Sequence, residues 1–125
     1  MSRTYQNIIS KIDFDVPKDW VQIKTIDMHT GGEPLRVIVS GFPKLKGTSV
    51  LEYRRDIKEN YDYLRTSLMF EPRGHADMYG CVLLPPNDET GDFGILFMHN
   101  EGYSTMCGHA IIAISTLAAN MNWIT

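Results

Sequence analysis

The chain has 125 residues, 43% hydrophobic and 22% charged, a balance that supports one folded domain with one core and excludes a disordered chain. A net charge of −3 offers no basic field to a phosphate backbone, and no apolar run is long enough to span a bilayer, so neither nucleic acid nor membrane is an expected partner. Charges scattered through residues 1–20 exclude a secretory leader there, and two cysteines in no metal-type pair or disulfide framework fit a reducing, cytoplasmic location.

Residues 1–18 read as a loosely ordered lead-in closed by Pro17, ahead of one domain over 19–125. Residues 21–28 alternate as a strand, 29–34 carry paired glycines and a proline as a turn, and 35–40 form a short β-branched strand. The two strands are expected to pair as a hairpin or to lie as near neighbours. Ser49 and Glu52 then fit a capping box, Ser-x-x-Glu, at the start of the clearest helix. Tyr53, Ile57, Tyr61, Leu64 and Leu68 recur along it at spacings of four, four, three and four, one apolar stripe for core packing. Residues 70–75 stop this helix and form a polar loop.

A second strand pair follows, 77–84 and 93–99, separated by Pro85-Pro86 and a turn. The last element is a helix from Cys107 to about Asn120. Ile111, Ile112, Ile114, Leu117 and Ala118 cover most of its circumference, and alanines allow close approach. A helix apolar nearly all round is a buried one, so a central helix wrapped by strands is expected. Such a helix needs more wall than these strands supply, which fits a piece of a longer protein.

The chemistry concentrates at the start of that helix. Cys107 is preceded by small and polar residues and followed by Gly108 and His109. The partial positive charge and unpaired N–H groups of a helix N-terminus stabilise a thiolate. Such a group serves as a nucleophile, a metal ligand or a proton carrier. Gly108 lets main-chain N–H groups approach a ligand, a carboxylate above all. A direct Cys107–His109 pair is not expected, because residues two apart on a helix do not face each other; a substrate contact suits the imidazole better. Metal is not expected either. The four histidines sit in different elements, and no HxxxH or CxxC spacing occurs. Glu33, Arg73 and His75 are turn residues by default, or lining of a site near Cys107. Cys81, in the apolar run Gly80-Cys81-Val82-Leu83-Leu84, reads as a buried inert thiol.

Three segments, DMHTGGEPLR (27–36), MFEPRGHADMYG (69–80) and MCGH (106–109), resemble the proline racemase family in its own order. Residues 99–104, with Ala110 after the histidine, resemble its trans-3-hydroxy-L-proline dehydratase branch. The resemblance implies an α+β fold, one diaminopimelate-epimerase-like half with antiparallel strands wrapped around a central helix, the C-terminal half being absent. It implies chemistry without a cofactor on a small imino acid. Cys107 then takes a Cα proton, and Gly108 and His109 bind the substrate. The opposing residue comes from the other half: a cysteine in racemases and epimerases, a threonine in the dehydratases, where the carbanion expels the 3-hydroxyl. Proline racemase and hydroxyproline 2-epimerase activities stay open, as does an inactive half-domain that only binds a partner. The isolated chain is expected to be inactive, and the resemblance leaves room for a homodimer of the full-length protein.

Overall fold

The computed structural model describes residues 2–11, 13–104 and 107–124. Thr105 and Met106, the latter part of the MCGH segment, lie outside them. Five strands form one sheet in the order β1-β2-β3-β4-β5. β1 (Lys24–Thr30) and β2 (Glu33–Ser40) pair antiparallel with Thr30 opposite Glu33. Only Gly31 and Gly32 lie between them, at φ of 57° and 94°. A two-residue turn with both φ positive matches the twist of the flanking strands, and glycine enters that region without strain. The expected hairpin is therefore present, with its turn tightened to two residues.

β2 runs parallel to β3 (Tyr79–Leu84), with Val37 opposite Cys81. Parallel neighbours need a crossover, and the helical stretch between them supplies it. β3 then pairs antiparallel with β4 (Gly94–His99), as expected, and β4 with a three-residue β5 (Gly102–Ser104). β5 is too short to leave a period in the sequence.

The crossover is not one continuous α-helix. It comprises α2 (Val50–Asp56), a π-helical turn (Ile57–Tyr61) and α3 (Asp62–Met69). The Ser49 side chain caps α2 by accepting the Glu52 N–H at 3.3 Å. The Glu52 carboxylate takes the N–H and hydroxyl of Thr48, one residue ahead of Ser49. Of the expected stripe, Tyr53, Ile57, Leu64 and Leu68 are buried and Tyr61 is partly so. The wider π turn accommodates one extra residue, which rotates the following turns and brings Arg65 and Met69 onto the buried face.

Strand alternation divides the core between the two faces of the sheet. On one face Leu35, Val37, Cys81 and Phe97 meet α4 (Gly108–Asn120). On the other, Ile38, Val82 and Met98 meet Leu68 and Met69 of α3. Burial of α4 is one-sided: Ala110, Ala113, Ile114, Leu117 and Ala118 are buried, but Ile112 is 58% exposed. Within this chain the sheet offers α4 a single face, so the expectation of burial nearly all round is met on that side only. Near the N-terminus, Arg3–Ser10 form α1, capped by the Ser2 hydroxyl, with no buried residue.

Candidate active site

Cys107 caps α4 and is not part of its helical turns. Its backbone is extended, at φ −149° and ψ 108°, and the residue is 8% exposed. From that position its side chain folds back over the first turn. The sulfur lies 3.2 Å from His109 Nδ1 and 3.6 Å from Nε2. The argument against a Cys107–His109 pair is overturned here, because the spacing rule applies only when both residues are helical. The first N–H groups of α4 have no partner within the helix and carry its partial positive charge toward the same place.

The β1–β2 hairpin fixes the imidazole. His109 Nε2 lies 3.3 Å from the Pro34 carbonyl oxygen. A carbonyl only accepts, so Nε2 carries the proton and donates it there. Nδ1 is left as an acceptor facing the thiol. The Thr30 hydroxyl donates to the His109 carbonyl at 2.9 Å, tying the same hairpin to the first turn of α4.

β3 supplies the other wall. The Tyr79 ring meets the His109 ring edge-on at a centroid separation of 5.5 Å, and lies 5.4 Å from the His99 ring. Burial pushes the Tyr79 phenol above its ordinary range; the Ser104 side chain pulls it down and the Cys107 sulfur pushes it up again. Two residues along the same face of β3, Cys81 is fully buried, and its thiol is pushed up to about 12, first by burial and then by Cys107. It behaves as the inert thiol expected from the sequence.

Other candidates have local duties. Arg73 Nε donates to the Ser67 carbonyl at 2.9 Å, and the Arg73 carbonyl accepts from Arg36 Nη1 at 2.8 Å. His29, His75 and His99 each accept with Nδ1 a backbone N–H from their own turn, Gly32, Asp77 and Glu101 respectively. Among the described residues, no three His, Cys, Asp or Glu side chains cluster as metal ligands. Glu33 is exposed at the start of β2. Gly108 is exposed, and a Cβ built on it would meet nothing within 4 Å, so the approach to the N–H groups beside Cys107 is open. No helix of the described residues is long and apolar enough to cross a membrane.

Thr30, Pro34, Tyr79 and Ser104 were not singled out by sequence. Strand alternation carries the signal for Tyr79, because it places residues 79 and 81 on one face. Contacts from Thr30 and Pro34 depend on how the hairpin docks, and Pro34 acts through a main-chain atom that leaves no side-chain signature.

The fold is of the hydroxyproline epimerase type. The structure superposes on a crystal structure of a hydroxyproline epimerase from Agrobacterium vitis with bound trans-4-hydroxy-L-proline. The TM-score is 0.74 at 25% identity, covering 82% of this chain and 31% of that one. The chain belongs to the proline racemase family, whose model matches residues 25–125. It is 57% identical over 104 residues to the trans-L-3-hydroxyproline dehydratase of Xenopus tropicalis, covering 83% of this chain and 30% of that protein. It is also 50% identical over 102 residues to a 3-hydroxyproline 2-epimerase of Burkholderia multivorans, covering 82% and 30%. The chain thus spans about 30% of the length of the curated relatives it matches.

Proposed function

We propose that this chain is part of a trans-3-hydroxy-L-proline dehydratase, a hydro-lyase that works without a cofactor. The observation that carries this reading is the Cys107 sulfur at the start of α4, 3.2 Å from His109 Nδ1. It occurs in a chain 57% identical to a protein named for that activity. Cys107 as thiolate takes the Cα proton of the imino acid, forming S–H as the C–H bond breaks. The electron pair left on Cα expels the 3-hydroxyl, which departs as water once protonated. The enamine acid left behind tautomerises to a cyclic imine acid. The Nδ1 lone pair of His109 faces the sulfur, so the imidazole takes the thiol proton and passes it to solvent, which restores the thiolate and balances the proton that the departing hydroxyl takes up. Gly108 presents its N–H to the substrate carboxylate at the positive end of α4, and His109 completes the binding site beside it.

The whole protein's site needs an opposing residue from outside this chain, and α4 there is the central helix of a diaminopimelate-epimerase-like half. Partners other than the imino acid are a second copy of the full-length protein at most; the location is cytoplasmic, and the isolated chain has no turnover. In the full-length protein, Cys107→Ser abolishes water loss from trans-3-hydroxy-L-proline, measured by product absorbance; normal turnover would exclude Cys107 as the base. The 50% identity to a 3-hydroxyproline 2-epimerase favours a second reading, proline racemase or hydroxyproline 2-epimerase activity with the same Cys107. Incubation in heavy water separates them: inversion with deuterium at Cα supports the second, loss of water the first. Dehydration by the 125-residue chain alone would overturn the need for an opposing residue.

A further inference from the structure

Along β1, Ile26 and Met28 pack against the cluster that contains Ala110 and Ala113 of α4. Strand alternation brings Thr30 to the same face, at the end of β1 and beside the start of α4. The apolar series thus ends on a hydroxyl, and that hydroxyl donates to the His109 carbonyl at 2.9 Å. His109 is the second residue of α4, so its carbonyl already has a helical partner in the N–H four residues on. A carbonyl oxygen has two lone pairs, and Thr30 uses the second. The bond is therefore not needed to satisfy the acceptor. What it fixes is the place of the first turn of α4 against the hairpin.

That place governs the imidazole. Thr30 stands opposite Glu33 across the two-glycine turn, and Pro34 is the next residue along. From there the Pro34 carbonyl oxygen lies 3.3 Å from His109 Nε2, while Nδ1 lies 3.2 Å from the Cys107 sulfur. Anchor and carbonyl belong to one tight turn, and the ring is held between that turn and the thiol. The Nε2 contact is at the long end of the hydrogen-bond range, so a shift of α4 by a few tenths of an ångström breaks it. Without the carbonyl both ring nitrogens compete for the proton, and an Nδ1–H tautomer no longer accepts from the thiol.

We infer that Thr30 is a positioning residue for the thiol–imidazole pair: its hydroxyl holds the first turn of α4 at the hairpin, so that the Pro34 carbonyl keeps the His109 proton on Nε2 and leaves Nδ1 open to Cys107. The inference rests on the proposed work of Cys107 and His109, yet its deciding readout is spectroscopic and needs no turnover. In the full-length protein made with isotopically labelled histidine, two-bond proton–nitrogen couplings report which ring nitrogen carries the proton. The spectrum is taken at a pH of about 8, where an ordinary imidazole is neutral. His109→Asn identifies the His109 signals, and the wild type is expected to show Nε2–H alone.

Thr30→Val keeps the branched shape that a strand favours and removes the hydroxyl. Its His109 signals are expected to become an exchanging mixture of both tautomers, and kcat to fall about tenfold. Thr30→Ser, which keeps a hydroxyl, is expected to restore both. A Thr30→Val spectrum that stays Nε2–H alone overturns the inference, as does a wild type carrying Nδ1–H or a Thr30→Ser that fails to restore the tautomer. If Thr30→Val fails to fold, Thr30→Ala is read in the same way. The outcomes stay separable from the proposed reaction. An unmoved tautomer with an inactive Cys107→Ser enzyme rejects only the role of Thr30. A mixed tautomer with unchanged kcat keeps the anchor and rejects His109 as the proton acceptor at the thiol.

Discussion

Arg65 reaches its acceptors from a helix position that the π turn rotated inward. It donates to both Asp62 oxygens at 2.8 and 3.0 Å and to the carbonyls of His99 and Asn100 at 2.9 and 3.0 Å. Its guanidinium also faces the rings of Phe70 and Tyr103 at 5.7 and 5.6 Å. It thereby pins the turn between β4 and β5, the stretch that leads to Cys107. Asn100 continues the tie by donating to the carbonyls of His75 and Ala76 at 2.7 and 2.9 Å. Arg65→Ala leaves these acceptors facing a void and is expected to destabilise the chain by about 3 kcal/mol, read from urea denaturation. Arg65→Lys keeps the charge without the planar fork and should recover less than half of that loss. In the full-length protein, His109→Ala is expected to lower kcat about a hundredfold, since it removes the proton acceptor at the thiol. Of these residues only Cys107, Gly108 and His109 were legible in the sequence. Their roles follow from a helix start, but the Cys107–His109 contact requires knowing that Cys107 is a cap and not a helical residue. Arg65 was not singled out there, because no sequence period announces a π turn.

The loop between α3 and β3 owes its path to Gly74. A Cβ there would sit 2.0 Å from the Met69 carbonyl oxygen and 2.3 Å from its carbonyl carbon, both backbone atoms with no rotamer to yield. The Gly74 N–H meanwhile donates to the Phe70 carbonyl at 2.8 Å. Gly74→Ala therefore has to displace the end of α3, with an expected cost of about 1–3 kcal/mol in thermal or urea unfolding. Gly31→Ala differs in kind. Open space surrounds it, so its cost is the φ of 57° alone, about 1 kcal/mol. At this scale most of the fold was legible. Two strand pairs, the capped helix and the last helix are all marked by turns, caps and apolar period. The parallel pairing of β2 with β3 was not, since alternation marks a strand without naming its neighbour. Nor was the single-sided burial of α4, because an apolar circumference reports what a helix can bury and not what covers it.

Across the whole molecule, two arginine-paired carboxylates are among those that couple stability to acid. The Arg36 side chain holds Asp27 below its ordinary range through hydrogen bonds of 2.9 and 3.0 Å. Arg65, followed by the Tyr103 hydroxyl at 2.7 Å, does the same for Asp62. A carboxyl whose folded pKa is depressed contributes stability above its unfolded value, about 4, and loses it as pH falls through the folded value. Melting temperature is thus expected to hold between pH 7 and pH 5 and to fall below pH 4. Asp62→Asn should lower it at pH 7 and flatten the acid limb; an unchanged limb would rule out Asp62 as a source. Both carboxylates are more than a third exposed, so solvent screening limits the effect. The tie between the hairpin and His109 has a different kind of robustness. One of its two hydrogen bonds ends on the main-chain oxygen of residue 34, which every amino acid possesses. An alanine scan would pass over that bond in silence. What it depends on is count and not identity: one residue inserted between Thr30 and Glu33 would slide a different carbonyl under the imidazole, and the choice of ring tautomer would go with it.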